Sequence, residues 1–116
     1  MRILDRLFAG LMFLGAIGHG LGSYQFYKNQ PINLLWALSA SFATFLLAAI
    51  NLLRAGRTGD RPLVWISFAG CLVQIGFAIS FGLLIGNVFD FRPLTTAIIA
   101  LVLAAFSLRS ARQKSV

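Results

Sequence analysis

The stretch NLLWALSASFATFLLAAINLLR, residues 33–54, decides the fold. It carries no charge before Arg54, and at about 1.5 Å per residue a helix of this length covers the ~30 Å hydrocarbon core of a bilayer. Within it Ala37, Ser41, Thr44, Ala48 and Asn51, continued by Ala55, recur at alternating steps of four and three, so all fall on one stripe of a helix. The stripe is small or polar throughout, and the other faces are rich in Leu, Phe and Ala. Such a helix suits lipid, where apolar burial does not drive helix association and close van der Waals approach does.

Three further apolar runs flank this one, giving spans over roughly 7–27, 33–54, 63–86 and 93–109. The fourth is the shortest, and it spans if Phe89 and Phe91 anchor one interface while Arg109, Arg112 and Lys114 snorkel at the other. Composition agrees: 59% of residues are hydrophobic, 11% are charged, and the mean hydropathy of +0.84 exceeds what a soluble core requires. The breaks between runs are short and end at Pro31, Pro62 and Pro93, which suit helix starts. Short connections make successive helices antiparallel neighbours. The expected fold is therefore an all-α membrane protein, a single integral domain over residues 1–116 with four transmembrane helices in an up-down-up-down bundle.

The charges predict the threading. Arg2, Arg6, Arg54, Arg57, Arg61, Arg109, Arg112 and Lys114 fall to one side of such a bundle, and Lys28 and Arg92 to the other. Basic residues near span ends are retained in the cytoplasm, so both termini and the basic tail 109–116 are expected there. The setting is a multi-pass protein of the cell membrane, in the size and style of a bacterial cytoplasmic membrane protein. A competing reading makes residues 1–22 a cleaved signal peptide; Asp5 in its basic region and the unbroken run into Tyr24, Phe26 and Tyr27 count against it.

The small stripe repeats on the other helices. In the third span Ser67, Cys71, Gln74, Ala78 and Gly82 share one face, opposite Trp65, Phe68, Leu72, Ile75, Ile79 and Leu83, which are expected to meet lipid. The fourth offers Thr96, Ala100, Ala104, Ser107 and Ala111. In the first, Gly15, Gly18, His19, Gly22 and Phe26 lie on one side; Gly18 and Gly22 form a GxxxG pair, matched by small-xxx-small spacing at Ala78, Gly82 and Gly86. These are the predicted packing seams.

His19, the sole histidine, and Gln74 fall at similar depth, and an intramembrane polar group seeks a partner. The expectation is a polar site in which His19 bonds Gln74, Ser41 or Thr44, or faces its own copy across a dimer. Two roles stay open: fixing helix register, or titrating and binding within the membrane.

Other chemistry is limited by what is missing from the sequence. A lone Cys71 forms no intrachain disulfide or CxxC pair, and no metal ligand set, phosphate loop, carboxylate pair or nucleophile with a base is visible. Haem would require His19 from each of two copies. Asp90 beside Arg92 reads as a helix cap or surface ion pair, and the aromatic rim of Tyr24, Tyr27 and Trp36 as an interfacial belt. No basic face with stacking aromatics points to nucleic acid. The chain is expected to be neither an enzyme nor the holder of a cofactor. It reads as a scaffold, small subunit or assembly partner in a homodimer or larger membrane complex, with a minimal homodimeric transporter using His19 and Gln74 as the alternative.

In layout alone, four spans with tiny loops, the chain resembles the small multidrug resistance transporters and the DoxX-like group of small bacterial membrane proteins. The first resemblance implies transport through a glutamate in the first span. This chain has no glutamate, and its charge bias departs from the balanced loops of that family. The second rests on the hydropathy outline and no motif. Neither is taken as membership.

Overall fold

The three prolines stand in the first turns of helices, where a missing N–H breaks no bond. The computed structural model describes residues 2–57 and 59–112. Over them run α1 (Arg2–Tyr27), α2 (Pro31–Gly56), α3 (Arg61–Leu84) and α4 (Phe91–Arg112), all four long and apolar enough to cross a membrane. The fourth is longer than its apolar run, because α4 begins at Phe91 and continues through Arg109 to Arg112. Lys114 and the rest of the expected tail beyond Arg112 lie outside the described residues.

Local chemistry sets the helix ends. Asp60 caps α3 by accepting the Leu63 N–H at 3.2 Å. At the other end of α3 the Gly86 N–H bonds the Leu83 carbonyl at 3.1 Å and the Asn87 N–H bonds the Gly82 carbonyl at 2.9 Å. This double bond pattern needs a left-handed residue, which Gly86 supplies with φ of 80°. Asp90 Oδ1 caps the start of α4, accepting from Arg92 N at 3.0 Å and from its Nε at 3.1 Å. The backbone bond first, then the side-chain bond, holds the Asp90 carboxyl below its ordinary value.

α1 lies closely along α2 and α3 along α4, and looser α1–α4 and α2–α3 contacts close the ring. The molecule measures 52 × 24 × 21 Å. Its apolar core takes Ala9 and Met12 from α1, Leu47 and Ala48 from α2, Cys71 from α3, and Ala100, Leu103 and Ala104 from α4. Gly70 permits the α2–α3 approach: a Cβ there would stand 2.6 Å from Leu47 Cδ1. Phe13 and Phe45 join α1 to α2 edge to face at 4.6 Å. Large apolar side chains such as Phe42, Phe77 and Leu101 point outward, as a lipid-facing surface requires.

On α2, α3 and α4 the expected stripes are the seams. Ser41, Ala48, Asn51 and Ala55 are buried, as are Ser67, Cys71, Ala78 and Gly82, and Ala100, Ala104 and Ser107. On the opposite side of α3, Phe68 and Ile75 depart from the expectation by turning partly inward against the core.

α1 is the correction. Its buried face is Asp5, Ala9, Met12, Ala16 and Ser23, whereas Gly15, Gly18, His19, Gly22 and Phe26 are exposed. A Cβ on Gly15, Gly18 or Gly22 would meet nothing within 4 Å, so the GxxxG pair is no seam within this chain. The matching spacing on α3 is divided, because Ala78 is buried in the seam while the two glycines make no helix contact. Gly82 packs against the following loop, where its Cβ would stand 2.8 Å from Val88 Cα, and Gly86 is exposed beyond the helix end.

Candidate functional site

The polar centre of the molecule forms around Arg54, near the end of α2. Its side chain is fully buried, and the residue retains 1% exposure. Guanidinium carries five N–H donors in a planar fork, and each one is used. Nη1 donates to Asp5 Oδ2 at 2.8 Å and to Ser110 Oγ at 3.2 Å. Nη2 donates to Asp5 Oδ1 at 2.6 Å and to Asn51 Oδ1 at 3.1 Å. Nε donates to Ser67 Oγ at 3.2 Å. The partners come from the start of α1, the end of α2, the start of α3 and the end of α4, so one cation ties all four helices at one end of the bundle.

The second layer of bonds is closed as well. Asn51 sits one turn before Arg54 and donates Nδ2 to the Leu47 carbonyl at 3.0 Å and to Cys71 Sγ at 3.6 Å. Ser67 gives its proton to Asn51 Oδ1 at 2.8 Å and lies 3.1 Å from Ser107 Oγ. Ser107 has one proton and two acceptors in reach, Ser67 and the Leu103 carbonyl at 2.9 Å. Among the described residues no buried side-chain nitrogen or oxygen lacks a partner. A charge removed from water is tolerated in this state, paired at two points with every remaining donor satisfied.

This cluster goes beyond the expectation that Arg54 is one of the basic residues marking a span end: its side chain is buried and paired. Part of the signal was in the sequence: Asn51, Ser67 and Ser107 lie on the expected stripes, and Asp5 is the only acid within the first helix. The pairing itself joins residues 49 positions apart and requires the folded arrangement.

Of the four residues expected to form a polar site, Gln74 and Thr44 come together and His19 does not join them. Gln74 Nε2 donates to Thr44 Oγ1 at 3.3 Å, joining α3 to α2. Ser41 donates to the Ala37 carbonyl at 3.2 Å and faces Gly20, where a Cβ would stand 3.5 Å from its Oγ. His19 stays apart: it is exposed, and among the described residues it has no hydrogen-bond partner. The reason is helical drift. His19 lies two heptads beyond buried Asp5 and one beyond Met12, and an α-helix rotates about 20° per heptad away from a strict seven-residue repeat. By this depth Gly20 has taken over the contact with α2.

Among the described residues no three His, Cys, Asp or Glu side chains gather where a metal could be held. A cleft of about 290 Å³ opens between α3, α4 and their connecting loop, lined by apolar residues that include Ala78, Val88, Phe89 and Leu94. It offers no polar group to orient a ligand. In comparisons with known proteins, no family model, curated protein or solved structure matches this chain.

Proposed function

We propose that the chain threads the cell membrane as an up-down-up-down bundle with both termini cytoplasmic, and acts as a scaffold, small subunit or assembly partner of a membrane complex without catalytic chemistry of its own. The observation that carries this reading is the saturation of Arg54. Ionisable groups inside membrane helices are functional suspects by default, because they are kept at a cost. Here every donor of the cation is consumed by four helices of the same chain, which leaves none for a substrate. The threading is supported by the same cluster, which gathers the start of α1 and the end of α4 at the arginine-rich end.

The test has two arms: migration of the chain at native abundance in mild detergent, and proton and solute flux in vesicles holding the purified chain alone. The reading expects a defined complex larger than the chain and flux no greater than in empty vesicles. Flux from the chain alone contradicts it.

One observation favours a second reading, a permeation path formed between two copies. His19 is exposed beside Gly15, Gly18 and Gly22, so a second copy packed on this face would bring two imidazoles together. Gln74, engaged by Thr44 in the α2–α3 seam, is not part of such a path.

A further inference from the structure

We propose that the end of the bundle holding the Arg54 cluster is a binding surface for anionic phospholipid headgroups. The proposal rests on the membrane-spanning reading above and goes beyond it to a lipid preference confined to one leaflet.

The charge balance at this end is the first argument. Arg54 is neutralised internally by Asp5. The other acid, Asp60, is occupied by the Leu63 N–H and by Arg57, whose Nη1 stands 3.9 Å from Oδ2. Arg6, Arg61, Arg109 and Arg112 remain exposed, with no hydrogen bond or ion pair to any described residue. They stand on α1, α3 and α4, in the first two turns or the last turn of helices long enough to span a bilayer, at the level where headgroups lie. Arg6 also reaches towards α2, its Nη2 3.7 Å from where a Cβ on Gly56 would stand. The opposite end carries Lys28 and Arg92, and Arg92 is tied to Asp90 and stacked 5.5 Å from the Phe81 ring.

The shape of a phospholipid fits this end as well. All four of these cations are guanidinium groups, whose planar fork matches two phosphate oxygens where an ammonium offers a point charge. Level with them the helices expose Leu4, Leu7, Trp65 and Leu108. A phospholipid fits both surfaces at once, phosphate against the fork and acyl chain against the apolar wall. A soluble acidic protein would match the charge and leave the wall uncovered.

Two tryptophans at opposite ends supply the test, since Trp65 follows Arg61 by one turn and Trp36 lies near the start of α2. The W36F and W65F variants, each with one reporter, are placed in phosphatidylcholine vesicles containing a minority of dibrominated phosphatidylglycerol or, separately, dibrominated phosphatidylcholine. Trp65 is expected to be quenched by the brominated anionic lipid as if its local fraction were about five-fold the bulk value, the effect of one arginine–headgroup contact. The excess falls at high salt and in the R61Q/R109Q/R112Q variant, and Trp36 shows none. Equal quenching of Trp65 by the two brominated lipids overturns the proposal, and is the outcome if an acidic protein is the true partner. Failure of either lipid to quench either tryptophan overturns the membrane reading itself, and the proposal with it.

Discussion

Arg54 and Asp5 meet at two points, Nη1 to Oδ2 at 2.8 Å and Nη2 to Oδ1 at 2.6 Å, and so fasten the end of α2 to the start of α1. Through its other donors the same cation reaches Ser67 on α3 and Ser110 on α4. The two closely packed helix pairs, α1 with α2 and α3 with α4, make looser contact with each other, and the polar clasp joins them at one end of the bundle. A buried ion pair of this kind is not a large net source of stability, because desolvation offsets much of the attraction. In the observed arrangement every buried group of the cluster has a partner, and removing either ion would leave the other buried without one.

Replacing Arg54 with Lys keeps the charge and loses the fork. An ammonium has three donors and cannot serve Asp5 at two points while reaching Ser67, Asn51 and Ser110. R54K is expected to destabilise the bundle by about 1–3 kcal/mol, the range for leaving buried polar groups unsatisfied, as read by reversible unfolding in mixed micelles. Stability equal to the parent would show that the fork is dispensable.

The glycines separate into two groups. G82A forces a Cβ to within 2.8 Å of the Val88 backbone, a contact that no side-chain rotation relieves, and is expected to cost about 1–3 kcal/mol. G18A and G22A meet open space inside a helix and are expected to be neutral or to stabilise the monomer by up to about 1 kcal/mol. Melting temperatures of the three variants in one detergent make the comparison. A loss at G18A or G22A that depends on protein concentration would point to self-association through α1.

His19 and Gln74 are expected to differ in the same assay. H19L removes a polar ring from an exposed face, and folded yield should hold or rise. Q74L removes the bond to Thr44 and should cost about 0.6 kcal/mol, the average for an interhelical hydrogen bond in a membrane. The reverse order would place His19 in the interior.

Most of this fold is legible in the sequence, and the exception is instructive. On α2, α3 and α4 one stripe is small or polar along its length, and that stripe is the inward face. α1 carries small residues on two faces, Ala9, Ala16, Gly20 and Ser23 on one, and Gly15, Gly18 and Gly22 on the other. Glycine spacing favours the second, while packing uses the first, where Asp5 must also point. The Arg54 cluster was hidden for a different reason. A cation near the end of an apolar run reads as an interface marker, and nothing local distinguishes it from Arg57 three residues later. Only the helix arrangement brings Asp5 to it.

Asp90 gives a pH dependence outside the spans. Its carboxyl is held below the ordinary value by the Arg92 N–H and then by the Arg92 side chain. A lowered folded-state value means that the cap's contribution is fully present above the ordinary carboxylate range and is lost as pH falls through the lowered value. Carbon-detected titration of the Asp90 carboxyl should therefore show a midpoint below that of an unstructured aspartate, and R92Q should move it upward. An unshifted midpoint would remove the cap.

A double-mutant cycle of D5N, R54Q and D5N/R54Q, read as unfolding free energy in mixed micelles, determines whether Arg54 and Asp5 act as one clasp. The account predicts that each single change costs about 3–5 kcal/mol by stranding a buried group. The double variant should be less damaging than the two single effects added, with a coupling of at least about 1 kcal/mol. Additive losses, with no coupling between the two positions, would contradict it.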